Sequence, residues 1–393
     1  MSGRLRDVGL DAVDVRGAVE IERTSRGILP HRLPAWARAQ VPDTFMVQTA
    51  AESAGIRLAF RTEATTIELD VSARRMAPDV DFPLPPSVYE LTAEGAVVAA
   101  SGAVAGSRYL FSFENPSGRV VDGPAATVRF EGLPPGDAAY ELWLPYTDAV
   151  EVLALRTDAP VRAPQKRGAV RWLHHGSSIS HGYRADSTSG TWPVVAALTV
   201  GADLTNLGFS GSAMLDPFTA RTMRDHAADL ITMKVGINLV NGDVMRMRAF
   251  RPALDGFLDT LREGHATTPI VVISPILCAP VESAAGPTVQ DPTRTQEWSI
   301  AGGTEADVAQ GKLSLRAIRT AIADVVARRS ATDRHLRHFD GLRLYGPEDA
   351  SAMPLPDNLH PGPDVQRLMG ERFARDVLRP FLAESPSRAA TRT

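Results

Sequence analysis

The spacing of hydrophobic residues changes near residue 165, and that change constrains the fold more than any other feature of the chain. Before it, short runs alternate apolar and polar residues: Ile56–Phe60, Thr66–Val71, Val88–Leu91, Tyr109–Phe113, Thr127–Phe130, Tyr140–Leu144 and Val150–Leu155. A period of two puts one face of each run against a core. Turn signals separate the runs at Glu94-Gly95, Asn115 to Gly118, Asp122 to Pro124 and Leu133 to Gly136. Many short alternating strands punctuated in this way predict a β-sandwich or jelly roll. Helical periodicity is poor here, and only Ala35–Gln40 reads as a short helix.

After the change, apolar runs alternate with helical patterns. Strands are predicted at Val170–Leu173, Ala202–Asn206, Leu230–Val235, Ile270–Ser274 and either Leu336–Asp340 or Leu342–Tyr345. Helices are predicted at Trp192–Thr199, Thr219–Ala228, Phe250–Glu263, Gly311–Arg329 and Pro363–Leu382. Such alternation implies an α/β unit with a parallel sheet between two helical layers. The 393 residues exceed what one core usually holds. The polar segment Ala163–Gly168, with Pro164 and Gly168, is the expected boundary. The division is then 1–163 for an N-terminal sandwich domain and 168–385 for the α/β domain, with 386–393 as a frayed tail.

Composition excludes several classes of function. A net charge of -4 gives no electrostatic footprint for nucleic acid or an anionic membrane. No run approaches the length of a membrane span, and the charged N-terminus has no apolar core of a secretory signal, so a cytoplasmic location is expected. Cys278 is the single cysteine, which excludes an intrachain disulfide and a cysteine-based metal cluster.

Within the α/β half, Arg171 to Gly182 carries the first candidate for chemistry. The apolar run Ala169 to Leu173 ends in His174, His175 and Gly176, followed by Ser177, Ser178 and Ser180. A strand ending in Gly and small residues can turn tightly and present one side chain at the carboxyl edge of a parallel sheet, where ligands bind. Ser178 is the candidate. Gly211, in Asn206 to Ser212, can bring a backbone N–H close to a ligand. Asn238 follows the third strand and can offer its amide to a developing oxyanion. Asp357 and His360, three apart before Pro361-Gly362, can share one turn. The carboxylate would then hold the imidazole in the tautomer that accepts a proton from a serine.

These four segments, in this order over Gly168 to about Leu382, resemble the SGNH or GDSL-like hydrolase family. Gly176 to Ser180 looks like the family's first block, with Ser178 as nucleophile. Gly211 and Asn238 look like the second and third blocks, and Asp357 with His360 like the last. The resemblance implies a three-layer, flavodoxin-like αβα hydrolase fold, an oxyanion hole of Ser178, Gly211 and Asn238, and no cofactor. Two positions depart from the pattern. Ser177 stands where the family name has Asp, and Leu239 follows Asn238 where many members have Asp, which predicts looser support for the oxyanion loop. A β-sandwich ahead of an SGNH domain is the arrangement of two-domain carbohydrate esterases, with Leu144 to Val152 resembling the sandwich's end.

His174, His175 and His181 cluster near the serine, but no Asp, Glu or His completes a ligand set, so no metal is expected. Cys278 reads as a small buried residue or pocket wall. Trp192 and Trp298 read as pocket or core residues, and the aperiodic stretch Asp291–Glu305 as a loop over the site. The expected activity is that of a serine esterase acting on a small-molecule or carbohydrate ester. Small polar residues near the site (Gly208, Ser210, Gly211, Ser212, Asn238, Asn241, Gly242) and the lack of a lid helix predict a short acyl group, acetyl above all. Acyl transfer through the same triad, a lipase or thioesterase activity, and a non-catalytic binding module are the alternatives.

Overall fold

The computed structural model describes residues 4–104, 106–112, 116–164 and 169–384. The expected tail at 386–393, residues 165–168 of the boundary and the end of the Tyr109–Phe113 run lie outside the described residues.

The N-terminal half is all-β around one core, in two sheets of eight and six strands among the described residues. The long strand Thr66–Ala77 pairs antiparallel with Asp148–Thr157 and Ala126–Glu131. Its Ile67, Leu69 and Val71 meet Phe60, Leu91 and Leu142 of the other sheet. The period of two seen in the sequence is therefore the sandwich interior. Strands before Ile56, at Asp14–Arg16, Glu20–Arg23 and Ile28–His31, escaped the sequence reading, as did Ala96–Ala103. So did the helix Thr44–Ala51, whose first turn is capped by Asp43 Oδ1 accepting from Met46 N–H at 2.8 Å. Met46, Gln48, Thr49 and Ala50 are all buried, so no single apolar stripe marks this helix. The short helix expected at 35–40 is present as Ala35–Arg38.

The C-terminal half holds five parallel strands: β1 (Arg171–Gly176), β2 (Asp203–Gly208), β3 (Leu230–Lys234), β4 (Ile270–Ile273) and β5 (Leu336–Phe339). Their order is β2-β1-β3-β4-β5, the flavodoxin-like winding. One face packs Phe250, Leu254 and Phe257 of helix Met247–Gly264 and Ile318 and Ile322 of helix Leu315–Ser330. The other packs Trp192 of helix Trp192–Val200 and Met369 and Phe373 of helix Pro363–Phe373. The helix expected at 311–329 begins later, because Gly311 sits at φ 94° and Ser314 caps Leu315–Ser330 by accepting from Ala317 N–H. Of the two candidates for the last strand, Leu336–Phe339 forms it, and Gly341–Arg343 is a short turn capped by Asp340.

The two halves meet along β2, the edge of the parallel sheet. An edge strand exposes unpaired carbonyls, and here two buried arginines from the N-terminal half take them. Arg57 Nη1 donates to Leu204 O at 2.9 Å. Arg32 Nη1 donates to Gly208 O and, at 3.4 Å, to Asn206 O. Arg32 Nε donates to Glu52 O at 2.6 Å and Nη2 to Thr49 O. Arg32 is 0% exposed and lies over the Phe209 ring at 5.0 Å. Leu33, Ala37, Met46 and Ala50 share a core cluster with Leu207, Phe209 and Phe218.

Replacing Arg32 by Ala strands four carbonyls without donors, each costing about 1 kcal/mol or more. Chemical denaturation should show a loss of about 3 kcal/mol, and a loss under about 1 kcal/mol would make the seam peripheral. We propose that residues 163–168 link two units. Limited proteolysis should cut there first, and the fragments should co-elute on gel filtration because they share the seam. First cuts inside 60–155 would contradict this division.

Candidate active site

Strand β1 ends at Gly176, where a Cβ would meet Ser180 Oγ at 2.3 Å. Strand β2 ends at Gly208, where a Cβ would lie 2.5 Å from His181 N. The two glycines let the four-residue helix Ser178–His181 sit directly on the carboxyl edge of the sheet. Ser177 caps that helix, accepting from Ile179 N–H at 3.4 Å, so the position held by Asp in the family name serves here as an N-cap. Ser178, 7% exposed, lies at the mouth of a cavity of about 850 Å³.

Beyond β5, the loop containing Asp357 and His360 folds back over this edge. Asp357 Oδ1 accepts from the backbone N–H groups of Leu359 (3.0 Å) and His360 (2.7 Å). Asp357 Oδ2 lies 2.8 Å from His360 Nδ1, and His360 Nε2 lies 3.0 Å from Ser178 Oγ. With Nδ1–H donating to the carboxylate, Nε2 is left as the acceptor facing the serine. Burial works to raise the Asp357 pKa, but the hydrogen bonds from His360 and Arg184 outweigh it and hold the carboxyl well below the usual carboxylate range.

Arg184 is the residue that sequence reasoning missed. Its Nε donates to Asp357 Oδ2 at 2.8 Å, and its Nη2 pairs with Glu297. Its backbone sits at φ 68°, an unusual conformation for a side chain of this size. No motif marks it, since it reaches the carboxylate across 173 residues of sequence. Glu297 belongs to the stretch expected to cover the site. That stretch is a hairpin, Thr288–Gln290 paired with Ser299–Ala301, and Ser299 N–H donates to Asp357 O at 2.9 Å. Trp298 packs on the hairpin under Arg294, at 4.1 Å, whereas Trp192 is core.

Gly211 and Asn238 face the same cavity. Gly211 has φ 65°, and a Cβ there would lie 2.7 Å from Phe45 Cε1. Asn238 Oδ1 accepts from Ala213 N–H at 3.1 Å, which leaves its NH₂ for a ligand. That bond ties Asn238 to the loop that carries Gly211. Leu239, at the position where many members have Asp, is buried in the core.

The three histidines near the serine have structural partners. His174 bridges Thr232 Oγ1 (2.7 Å) and Ser180 Oγ (2.8 Å), His175 Nδ1 lies 2.7 Å from Leu207 O, and His181 Nε2 lies 2.8 Å from Tyr146 O. Burial lowers the pKa of all three, that of His175 to about 4, so they are neutral. Among the described residues, no group of three or more His, Cys, Asp or Glu is placed to hold a metal ion. The Cys278 thiol is buried and contacts Asn358 O at 3.4 Å. The remaining cavity wall comes from the N-terminal half, with Phe45, Thr49, Glu52, Met76 and Tyr146.

A hydroxyl, an imidazole and a carboxylate in one hydrogen-bonded line, at the carboxyl edge of a 2-1-3-4-5 sheet, define an SGNH-type domain. Residues 175–368 match the model of the GDSL-like Lipase/Acylhydrolase family, and residues 13–153 match that of the SsfX3 N-terminal domain. The chain thus carries a GDSL-like lipase/acylhydrolase domain behind an SsfX3-type all-β domain, in the two-domain arrangement expected from the sequence. Among solved structures it is similar to the salicylyl-acyltransferase SsfX3 from a tetracycline biosynthetic pathway, at 25% identity and TM-score 0.78, covering 96% of this chain and 98% of that one. A GDSL-like lipase from Bacteroides ovatus (17% identity, TM-score 0.65, 97% and 98% covered) shares the fold. So does a family two carbohydrate esterase from Clostridium thermocellum (12%, 0.59, 93% and 99%). No curated protein matches the chain. Among the described residues, no helix is long and apolar enough to cross a membrane.

Gly211→Ala should cost about 1–2 kcal/mol from the left-handed backbone alone, and it should also push Phe45 away. Any acyl-ester turnover should fall at least about tenfold, and the double variant with Phe45→Ala should recover part of that loss. No recovery would place the whole cost in the backbone.

Proposed function

We propose that this chain is a serine esterase that cleaves short-chain esters through an acyl-enzyme on Ser178. The observation that carries the reading is the continuous line from Ser178 Oγ to His360 (3.0 Å) to Asp357 (2.8 Å). Ser178 Oγ attacks the ester carbonyl as His360 Nε2 takes its proton. The N–H groups of Ser178 and Gly211 and the Asn238 amide receive the oxyanion. Collapse of the tetrahedral intermediate expels the alcohol, protonated by His360. Water then attacks the acyl-serine, with His360 again as base, and Ser178 is restored. Asp357 keeps the ring oriented and stabilises its charged form.

The small residues beside the oxyanion groups, Ser210, Asn241 and Gly242, suit a compact acyl group such as acetyl. A cavity of about 850 Å³ leaves most of its space for the alcohol half. Phe45, Met76, Tyr146 and Tyr183 offer that half apolar faces of the kind a sugar ring packs against. A carbohydrate-like alcohol is also in line with the shared fold of the family two carbohydrate esterase from Clostridium thermocellum, whose structure holds cellohexaose.

A second reading keeps the chemistry and replaces water by another alcohol. It is favoured by the similarity to an acyltransferase over 96% of this chain.

Ser178→Ala should lose several powers of ten in kcat, while Ser177→Ala and Ser180→Ala keep most of it. Asn238→Ala should lose about 10²–10³ in kcat with little change in KM. An effect confined to KM would assign Asn238 to substrate binding. Across p-nitrophenyl acetate, butyrate, octanoate and palmitate, kcat/KM should fall from acetate onward. A maximum at octanoate or longer would overturn the short-acyl reading, and acylated alcohol as the main product with added acceptor would decide for transfer.

A further inference from the structure

The N-terminal half places one carboxyl on the wall of the active-site cavity, that of Glu52. A carboxyl group offers about four lone-pair sites. The contacts that Glu52 makes are few and long. Gln48 Nε2 donates to Oε1 at 3.3 Å, and His181 Nε2 lies 3.3 Å from Oε2 while also serving Tyr146 O at 2.8 Å. The nearby cations are committed elsewhere. Arg32 spends its donors on backbone carbonyls, and Arg75 spends its own on Asp148 Oδ1 (2.5 Å), Pro85 O (2.8 Å), Thr147 Oγ1 (2.8 Å) and Ser87 Oγ. A buried carboxyl left with unfilled acceptor sites and facing a cavity is suited to a donor that arrives with the ligand.

The charges around it select the kind of donor. Arg32 and Arg75 both lie within electrostatic reach, Arg75 paired with Asp148, so an ammonium group would meet the uncompensated charge of Arg32. Burial pushes the Glu52 carboxyl up, to about 8, against the pull of Arg32 and the Gln48 hydrogen bond. A carboxyl that holds its proton can accept and donate at once, as a hydroxyl does. Glu52 and Ser178 line the same cavity, and His181, which touches Glu52, lies three residues from Ser178 on the same short helix.

We propose that Glu52 is a specificity-determining residue that binds a hydroxyl on the alcohol half of the ester. This inference rests on the acyl-serine reading and names the substrate feature that reading leaves open. The ligand class is a partially acylated polyol.

The test compares kcat/KM for 3-hydroxypropyl acetate, propyl acetate and 3-(trimethylammonio)propyl acetate, with p-nitrophenyl acetate turnover measured on the same preparations. The wild-type chain should prefer the hydroxylated ester over propyl acetate by about tenfold, the worth of one good hydrogen bond, and should not prefer the cation. In Glu52→Met the hydroxyl-to-propyl ratio should fall to about two or less. In Glu52→Gln, which keeps the shape and one acceptor, it should lie between. A ratio taken within one variant cancels any general loss of fold. Equal rates on the first two esters, a ratio unchanged in Glu52→Met, or preference for the cation would each overturn the proposal. A wild-type enzyme that turns over p-nitrophenyl acetate but ignores the hydroxyl sinks this proposal alone, whereas inactivity on every ester sinks the acyl-serine reading beneath it.

Discussion

The capture of an edge strand's carbonyls by two buried arginines is the interaction on which the rest depends. Taking a guanidinium out of water is costly unless its donors are filled, and Arg32 is filled by the carbonyls of Thr49, Glu52, Asn206 and Gly208. Two of those carbonyls belong to β2, immediately before the loop that carries Ser210 and Gly211. The same side chain therefore closes the edge of the sheet, anchors helix Thr44–Ala51 and fixes the start of the loop that carries Gly211. Arg's planar fork suits this use, since five donors leave in fixed directions. The N-terminal half is then part of the wall of the candidate site, because Phe45 meets Gly211 and Glu52 meets His181 on the near side of that seam.

A second constraint acts on the acid side of the site. Asp357 accepts from two backbone N–H groups, from His360 Nδ1 and from Arg184 Nε. With its acceptor sites filled, the carboxylate has little freedom to rotate, and it carries the imidazole with it. Arg184 extends this order to Glu297, and Ser299 extends it again through its hydrogen bond to Asp357 O. The hairpin over the cavity is thus tied to Asp357 at two points, to its carboxylate through Arg184 and to its backbone carbonyl through Ser299. Beneath the serine, three neutral histidines bind hydroxyls and carbonyls without adding charge near the nucleophile. The charge next to His360 is then that of Asp357, with Arg184 paired to it.

How much of this the sequence reveals depends on whether a feature is local. The strands of both sheets whose faces differ in burial, such as Thr66–Ala77, announce themselves by alternation. The candidates Ser178, Gly211, Asn238, Asp357 and His360, which line one cavity, stand out in the sequence because glycines, turns and spacing accompany them within a few residues. Helix Thr44–Ala51 was not, since it is buried on several sides and shows no stripe. The helix start at Leu315 was misplaced by four residues because Gly311 falls within an otherwise helical pattern, and only its positive φ reveals the break. Arg32, Arg184 and Glu52 act across 176, 173 and 129 residues of sequence respectively, the last by its contact with His181. An arginine in a β-rich half gives no sign of which carbonyls it will reach.

The account stands or falls on Ser178 as the group that becomes acylated. Tryptic cleavage after Arg171 and Arg184 releases Trp172–Arg184, a peptide that contains Ser177, Ser178 and Ser180 together. After reaction of the native chain with a fluorophosphonate, fragmentation of that peptide should place a single adduct on Ser178, and none should form in the unfolded chain. An adduct on Ser177 or Ser180, or a native chain that takes up no label, would contradict it.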